Sequence, residues 1–576
     1  MAATAQKLAG RRHLRFPDQK VFLLGLVAAI VAFLTVIPLA ILVWGSIRTG
    51  DPTVADAAFT IQNYVTVFTD PTSLELFINS LWYATGACLL SLVIGTTLAW
   101  IVERTNTPFR KVLYALTLVP LIVPGVLVTV AWLFLLNPRN GFVNYVLMSL
   151  MGLQKAPFDI YTMWGMIWIE ALHFVPLVFI LMGAALRSMD PSLEESAMMS
   201  GASVFVTLRR VTLKLMLPAV ASVSLIMFVR ALESFEVPAL VGLPGRIFVL
   251  TSKIYEATRQ YPPQFGISAA LSMSLLVLGV VGLYFYYRVT ARSERFATVT
   301  GKAFRPRTTD LGRWRYLTVG IYMAYLFVVV VLPLFILAWT SLNPFYRQPD
   351  LNALDKLSMD NFRAVLSLPI AQKAFLNSFL LAFGSATATM LLTAIIAWIT
   401  VKTTIPGRQI LDAFAFVPIA FPGIVLGVAL LWVYLVLPIP IYGTIWILVV
   451  AYMTRFMPYG IRACSSSVIQ IHKELEEAAY TSGASWLHTF GRVVLPLLRP
   501  ALLAGWIYIM IMSFKELSTS ILLYSSESIV LSVLVFDLWG SGKIGAISAL
   551  AMMMIAVLML LVLIMQKIGG KFGVQG

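Results

Sequence analysis

Twelve apolar runs long enough to cross a lipid bilayer constrain this sequence more than any other feature. They lie near residues 21–46, 77–102, 112–136, 161–184, 215–238, 266–288, 317–341, 374–401, 410–437, 444–466, 500–522 and 544–566. Twelve membrane helices of about 21 residues need roughly 250 residues, and 59% of the 576 residues are hydrophobic while only 12% are charged. This composition excludes a cytosolic enzyme, a disordered chain and a disulfide scaffold. It predicts an all-α integral membrane protein with about 12 transmembrane helices.

The basic residues indicate which side of the membrane the termini occupy. If both termini are cytoplasmic, 28 of the 42 Lys and Arg residues fall in cytoplasmic segments and 11 in external loops. Because Lys and Arg are retained on the cytoplasmic side, we predict cytoplasmic termini and a cytoplasmic basic linker. The same topology accounts for the net charge of +16, so no nucleic-acid partner is expected. Contact of the linker with anionic lipid headgroups is an alternative use of its charge.

The chain repeats itself as two halves of six predicted helices each. Matching segments are 298 residues apart at first and 282 apart later: Asn79-Ser80 with Asn377-Ser378, Val119-Pro120 with Val417-Pro418, and His173-Phe174-Val175-Pro176 with Arg455-Phe456-Met457-Pro458. An even number of helices makes both halves enter the membrane from the same side, so the repeat is parallel. We predict a basic N-terminus at 1–20, a first half at 21–290, a basic linker at 291–316 and a second half at 317–576.

The closest repeat is a hydrophilic loop after the fourth helix of each half. The first copy reads Leu193-Glu194-Glu195-Ser196-Ala197-Met198-Met199-Ser200-Gly201-Ala202-Ser203, and the second reads Leu475-Glu476-Glu477-Ala478-Ala479-Tyr480-Thr481-Ser482-Gly483-Ala484-Ser485. A generic solvated loop has no physical reason to repeat so closely, whereas two equivalent docking surfaces do. Acidic residues favour a helix N-terminus and glycine accepts the positive φ of a helix end. Each copy therefore predicts a short helix that ends at Gly201 or Gly483.

The spacing Glu477-Ala478-Ala479-x3-Gly483-x9-Val493-x-Leu495-Pro496 resembles the EAA loop of permease subunits in binding-protein-dependent ABC importers. In the first copy Ser196 replaces the first alanine, and Lys214 stands where the second copy has Pro496. The resemblance implies the type I importer permease fold, with a core of five helices per half and one additional N-terminal helix. It implies that each loop is a coupling helix that docks on an ATPase subunit. The residues assigned to this role are Glu194, Glu195, Ala197, Gly201, Glu476, Glu477, Ala478, Ala479 and Gly483.

The energy source is expected to lie outside this chain. No G-x-x-x-x-G-K-[ST] phosphate loop occurs in the sequence, so the chain is predicted not to hydrolyse ATP. We expect no catalytic residue, metal or cofactor here, with ATP and magnesium on the partner. The resemblance implies two copies of a cytoplasmic ABC ATPase and a periplasmic or lipoprotein substrate-binding protein, at a bacterial inner membrane. An ion-gradient-driven secondary transporter is the alternative class, since such proteins also have parallel repeats.

The transported solute is predicted to be iron(III). The fusion of two permease halves resembles the iron(III) and thiamine importer permeases, and residues 515–523 resemble iron(III)-type and phosphonate-type permeases. The apolar runs contain four carboxylates and three basic side chains. This excess of carboxylates favours a positively charged solute, and hard oxygen ligands suit ferric iron. Thiamine, a phosphonate or phosphate ester, and a polyamine are the alternatives.

Charged side chains inside the apolar runs are candidates for a translocation path or gate, because a charge at the bilayer centre costs at least about 2.5–3.5 kcal/mol. Glu233 and Lys515 are equivalent in the repeat, so we predict that they face one another in an outer gate. Local pairing of Arg230 with Glu233 is the alternative. Glu170 and His173 are expected to make a polar contact between helices, because two such ligands are a weak metal signal. The full set of candidates is Arg230, Glu233, Glu236, Lys515, Glu516, Glu170, His173 and Arg455.

Overall fold

The structure is a computed structural model that describes residues 19–49, 57–190, 192–293, 308–349, 351–437 and 439–571. Within these ranges the chain is almost entirely helical, and its β contacts are two isolated bridges, Arg48 with Phe59 and Thr105 with Thr309. The all-α membrane fold predicted from the apolar runs is confirmed. Most of the predicted N-terminal segment 1–20 and the centre of the predicted linker 291–316 lie outside the described residues.

The helices of the first half follow the predicted runs, with short segments between them. They are α1 (Gln19–Ser46), α2 (Gln62–Thr69), α3 (Pro71–Arg104), α4 (Arg110–Thr117), α5 (Gly125–Leu136), α6 (Phe142–Met151), α7 (Met163–Ser188), α8 (Ser192–Met199), α9 (Val204–Thr207), α10 (Leu213–Leu215), α11 (Leu217–Glu233), α12 (Leu250–Arg259) and α13 (Phe265–Ser293).

The helices of the second half repeat this order. They are α14 (Trp314–Leu326), α15 (Leu332–Ser341), α16 (Asp360–Ser367), α17 (Pro369–Lys402), α18 (Arg408–Phe416), α19 (Gly423–Val436), α20 (Ile445–Gln470), α21 (Lys473–Thr481), α22 (Trp486–Thr489), α23 (Leu495–Leu497), α24 (Arg499–Lys515), α25 (Ser520–Leu523), α26 (Leu531–Gly540) and α27 (Ile544–Lys571).

Four pairs of equivalent helices have equal lengths in the two halves. α3 and α17 each have 34 residues, α7 and α20 each have 26, α11 and α24 each have 17, and α12 and α26 each have 10. The first half also contains α6, which lies in the loop around 137–160 that the second half nearly lacks. The structure thus confirms the repeat that the sequence offsets predict.

The described part of the chain has seven helices that are long and apolar enough to cross a bilayer, or eleven spans if each of four bent helix pairs counts as one. The remaining predicted run, 444–466, is helix α20. Its 26 residues are long enough to span, but Arg455 and Arg462 lower its mean hydropathy. Each of the twelve predicted runs therefore contains a helix; the runs 112–136 and 410–437 are bent within their length, and the other two bends lie at the starts of α11 and α24.

Prolines lie at the sharp bends, as the sequence predicts. The segment that begins with α4 meets α5 at 96°, and the segment that begins with α18 meets α19 at 112°. Pro124 immediately precedes α5 and Pro422 precedes α19. Proline cannot donate the N–H that would continue the helical hydrogen bonds. Each bend therefore interrupts a span and places a helix N-terminus inside the protein.

The fifth helix of each half ends earlier than the apolar run predicts. α11 ends at Glu233 and α24 ends at Lys515, so Glu236 and Glu516 lie beyond the helices on which the sequence places them. The Glu516 carboxylate accepts hydrogen bonds from the Thr519 backbone N–H at 2.9 Å and from its hydroxyl at 3.0 Å. Because such a side-chain contact competes with the helical pattern, it favours a turn at this point.

The first helix of each half packs against the opposite half. Trp44 of α1 meets Trp432 of α19 edge to face, with ring centroids 6.0 Å apart. After α15, the Tyr346 hydroxyl donates to the Phe134 carbonyl at 2.9 Å. The two halves therefore do not pack as separate bundles, and the boundaries 21–290 and 317–576 stay a prediction about the repeat.

Candidate functional site

The two copies of the duplicated loop form the predicted helix and turn. α8 and α21 end in turns where Gly201 has φ +86° and Gly483 has φ +83°. The Ala202 N–H donates to the Ala197 carbonyl at 3.1 Å, and the Ala484 N–H donates to the Ala479 carbonyl at 3.0 Å. These bonds across the last turn, with a left-handed glycine, form the common glycine-terminated helix end. The side of the membrane that carries α8 and α21 is called the loop side below.

The two glutamates of each loop have different environments. Glu194 and Glu476 are buried, at 8% and 7% exposure. Their neighbours differ: Glu477 is exposed and Glu195 is partly exposed. The alanines follow the same division, with Ala197 and Ala479 partly buried and Ala478 exposed. One glutamate of each copy thus faces the protein interior, and the other faces the loop-side surface.

Glu194 joins α8 to the ends of two long helices. Its carboxylate lies 3.5 Å from the Arg104 guanidinium and accepts the Thr212 hydroxyl at 2.6 Å. Arg104 is the last residue of α3 and also donates to the carbonyls of Leu186 at 2.8 Å and Met189 at 3.1 Å, at the end of α7. Because the guanidinium spans all of these acceptors, α8 is held to α3 and α7 at one point.

Glu476 makes the equivalent contacts in the second half. Its carboxylate lies 3.3 Å from the Lys402 ammonium and accepts the Trp398 indole N–H at 3.3 Å. Lys402 is the last residue of α17 and donates to the Ile471 carbonyl at the end of α20. Arg104 and Lys402 are 298 residues apart, like the other early repeats. Neither cation is among the residues predicted from the sequence, although this offset marks both of them.

The second loop is more tightly packed than the first. Under α21, the Trp398 ring stacks on Trp486 at 4.0 Å and on Phe490 at 4.6 Å between centroids. The first half has Val204 and Leu208 in place of Trp486 and Phe490. A cavity of about 520 Å³ lies beside α8, lined by its acidic and methionine side chains and by the end of the linker. The two loops thus match in sequence but pack against different side chains.

The described end of the linker is attached to the end of α3. The Thr309 N–H donates to the Arg104 carbonyl at 2.8 Å, and the Asn106 N–H donates to the Thr309 carbonyl at 3.2 Å. The Gly312 backbone N–H and the Asn106 side chain lower the pKa of Asp310 from its usual range.

On α21, partial burial raises the pKa of Tyr480, and the charge of Glu476 adds to this effect.

All eight predicted path residues fall into one cluster inside the membrane-spanning region, in which Glu170 and Glu516 are buried and the other six are partly buried. Glu236 interacts electrostatically with Glu170, Glu516, Lys515 and Arg455, and His173 interacts with Lys515 and Arg230. The Arg455 guanidinium lies 2.9 Å from the Glu516 carboxylate. The structure therefore brings together residues from α7, α11, α20 and α24 and the turns that follow α11 and α24.

Two cations of this cluster bind the opposite half. Arg230 of α11 donates to the Tyr459 hydroxyl of α20 at 2.8 Å, and Lys515 of α24 donates to the Leu121 carbonyl at 2.6 Å. Among the described residues, Glu233 makes no ion pair with Arg230 or Lys515, although Arg230 is the charge that acts on it most strongly. The charges thus connect the halves, but through a hydroxyl and a carbonyl rather than through the Glu233–Lys515 pair that the repeat suggests.

Glycine lets these charges approach the bent helices. A Cβ atom on Gly125 would lie 2.1 Å from the Glu236 carboxylate, and one on Gly423 would lie 2.4 Å from the Arg455 guanidinium. Gly125 and Gly423 are the first residues of α5 and α19. The carboxylate thus lies at a helix N-terminus, where the exposed N–H groups favour negative charge.

An aromatic contact between the halves lies at the end of the bundle opposite the loop side. Tyr255 of α12 and Phe536 of α26 have ring centroids 5.9 Å apart, and each is the sixth residue of its helix. The Arg259 guanidinium donates to the Ile521 carbonyl at 2.7 Å and lies 5.2 Å from the Tyr524 ring centroid. The sequence analysis did not identify these residues, whose equal positions in α12 and α26 are the only sequence signal.

Comparison with known sequences gives the same division into two units. The profile of the family described as binding-protein-dependent transport system inner membrane component matches residues 91–295 and again residues 390–569. The chain is 24% identical to the ferric transport system permease protein FbpB of Actinobacillus pleuropneumoniae over 85% of this chain and 71% of that protein. It is 25% identical to the putative ferric transport system permease protein FbpB 1 of Haemophilus influenzae, over 82% and 73%.

Proposed function

Because the chain belongs to the family of inner membrane components of binding-protein-dependent transport systems, we propose that it is the transmembrane permease subunit of an ATP-driven importer. The observation that carries this proposal is the duplicated loop, whose two copies are both joined to the ends of long helices by a buried glutamate and a cation. A permease whose two halves are fused supplies both docking sites from one chain.

Two copies of a separate ABC ATPase dock on α8 and α21, so the loop side is the cytoplasmic side. Glu477 and Glu195 lie at this surface, and Met199 is 90% exposed, which leaves charged and apolar contacts for a partner. Closure of the ATPases on ATP draws the two loops together. Since Glu194 and Glu476 bind the cations that end α3 and α17, each loop moves its helices with it.

The solute enters from the opposite side, delivered by a periplasmic or extracellular binding protein. Tyr255 and Phe536 meet at that end, which closes the path there. This conformation therefore corresponds to the state that opens to the loop side. Alternating access then requires the halves to rock apart at this aromatic contact. Iron(III) is the proposed solute, in keeping with the ferric transport names of the relatives and with the four carboxylates of the charged cluster, Glu170, Glu233, Glu236 and Glu516.

Co-purification of the tagged chain from native membranes, after mild crosslinking and with partners identified by mass spectrometry, tests the proposal. We expect an ABC ATPase at two copies per chain. The double variant Glu195→Arg and Glu477→Arg should lose it, since both reversed charges lie at the docking surface. The matched control reverses two exposed charges on the loop side outside the duplicated loops, Arg110→Glu and Lys111→Glu, and should retain the ATPase.

A binding protein recovered with the complex identifies the solute through its retained ligand, measured by elemental analysis for iron and by mass spectrometry for organic solutes. A ligand other than iron(III) contradicts the solute but not the importer. Absence of any ATPase from the wild-type preparation contradicts the importer itself and favours an ion-gradient-driven transporter.

A further inference from the structure

A polar cavity of about 540 Å³ lies at the end of α3 opposite the loop side. Its walls come from α2, the start of α3, the segment before α12, α12 itself and the start of α13. The 34 residues of α3 extend about 50 Å at 1.5 Å per residue, so this cavity and Arg104 lie at opposite membrane surfaces. Its charged lining residues are Asp70, Glu75, Arg246 and Lys253.

The two signs of charge lie on different walls. Asp70 and Glu75 belong to the α2–α3 wall, whereas Arg246 and Lys253 belong to the α12 wall. Lys253 is bound at 2.6 Å by Glu256 and lies 5.2 Å from the Phe248 ring. Arg246 is exposed and has a φ of +56°. A positive φ is uncommon and strained for a residue other than glycine, and here it belongs to the cation that lines the cavity.

The second half fills the corresponding place with an ion pair. Lys373 and Glu527 form a salt bridge there, and the Asn377 amide donates to the carbonyls of Glu527 at 2.9 Å and Ile529 at 3.0 Å. Around α12 and α26 the offset of the repeat is 281, because these helices begin at Leu250 and Leu531. In the first half, the residue 298 positions before Lys373 is Glu75, and the residue 281 before Glu527 is Arg246. The acidic and the basic residue have therefore exchanged places between the two halves. Among the described residues, Glu75 and Arg246 make no ion pair with each other, and the cavity separates their two walls.

The cavity lies beside a surface suited to acyl chains. Phe68, Leu74 and Ile78 are exposed at 64%, 66% and 52%, and they alternate along α2 and α3 with the cavity-lining residues. Exposed apolar side chains in a membrane protein face lipid, and polar side chains at the same level face the headgroup region. The rim of the cavity thus lies where the hydrocarbon ends and the headgroups begin.

We propose that this cavity binds the headgroup of a zwitterionic phospholipid of the phosphoethanolamine type, with its phosphate on Arg246 and its ammonium on Glu75. Guanidinium binds phosphate through paired hydrogen bonds, and a primary ammonium offers three donors to the carboxylates of Glu75 and Asp70. An anionic headgroup or free phosphate would satisfy the cationic wall but leave the acidic wall unmatched. A trimethylated ammonium would satisfy the charge but offer no N–H donor.

Native mass spectrometry of the purified full-length chain, titrated with phosphatidylethanolamine, phosphatidylcholine, phosphatidylglycerol or inorganic phosphate, tests the site. The wild type should retain one phosphatidylethanolamine after delipidation. Glu75→Gln and Arg246→Gln should each bind it about tenfold more weakly, which corresponds to about 1.4 kcal/mol. Glu75→Lys with Arg246→Glu copies the arrangement of the second half and should close the cavity. Lys373→Gln and Glu527→Gln are matched controls that should bind like the wild type.

Thermal unfolding with and without lipid shows whether each variant is folded, because a folded variant that has lost the site melts normally but gains no stability from phosphatidylethanolamine. Equal retention of phosphatidylglycerol, stabilisation by inorganic phosphate alone, or unchanged lipid binding in Arg246→Gln would each overturn the proposal. Normal lipid binding in all variants, with loss only of stimulation by a recovered binding protein, would instead assign the cavity to protein docking.

Discussion

Arg104 and Glu194 form an ion pair at 3.5 Å whose side chains are only 3% and 11% exposed. The same guanidinium binds the last carbonyls of α7, so one side chain joins α3, α7 and α8. Lys402 and Glu476 repeat the arrangement at 3.3 Å. A surface helix held at one buried point moves with the bundle, which is the mechanical property that a docking helix needs.

Removing the buried glutamates should destabilise the protein, whereas removing the exposed Glu477 should not. Loss of one partner leaves a buried cation without its charge partner, which costs about 3–5 kcal/mol. We therefore expect Glu194→Ala and Glu476→Ala each to lower the free energy of unfolding by an amount in that range. Thermal unfolding in detergent measures this effect.

Glu477→Ala is the matched control, because Glu477 lies one residue from Glu476 in the same helix and is exposed. It should lower the free energy of unfolding by less than about 0.5 kcal/mol, as surface substitutions do, yet bind the ATPase more weakly. Equal destabilisation by Glu476→Ala and Glu477→Ala would contradict the division between interior and surface glutamates.

Trp398→Leu should cost more stability than Trp100→Leu. Trp398 is fully buried between Trp486 and Phe490, whereas Trp100 is only partly buried and lacks both aromatic neighbours. Truncating a buried large aromatic side chain costs about 3–5 kcal/mol, and we expect at least twice the loss for Trp398. The melting temperatures of the two variants compare them directly, and equal losses would show that the loops are equally supported.

Alanine at Gly125 or Gly423 should abolish transport without preventing expression. The new methyl group would lie 2.1 Å from the Glu236 carboxylate or 2.4 Å from the Arg455 guanidinium, so these charges must move. Solute uptake into proteoliposomes with the ATPase measures the effect. Gly384→Ala is the control, since nothing lies within 4 Å of its added Cβ; uptake by Gly125→Ala at the control level would show that the charges tolerate displacement.

Crosslinking across the aromatic contact should stop transport. Tyr255→Cys with Phe536→Cys places two thiols on facing helices whose ring centroids are 5.9 Å apart in the parent. A short bifunctional maleimide should join α12 to α26 and block uptake, because the halves can no longer separate at this end. Native Cys88 and Cys464 are buried and should react slowly, so the parent chain treated with the same reagent is the control. Full uptake by the crosslinked variant would show that this contact stays closed during transport.

The sequence alone determined the helices, the repeat and the duplicated loop, because each depends on local pattern. Apolar runs of bilayer length form helices wherever they occur, proline interrupts them at Pro124 and Pro422, and glycine ends the loop helices at Gly201 and Gly483. Identical residues at a constant offset are equally visible without a structure. The sequence also identified the charged residues inside the apolar runs, but the pair that it predicted, Glu233 with Lys515, does not form; Lys515 binds the Leu121 carbonyl instead.

Only the tertiary structure decided which contacts these residues make. Glu194 and Glu195 are chemically identical, and only packing against Arg104, 90 residues earlier in the chain, buries one of them. Lys515 binds a carbonyl of a bent helix in the other half, because the bend at Pro124 exposes backbone groups that no sequence pattern locates. Burial and partner choice depend on segments that are distant in the chain, so they follow from the packed fold rather than from local pattern.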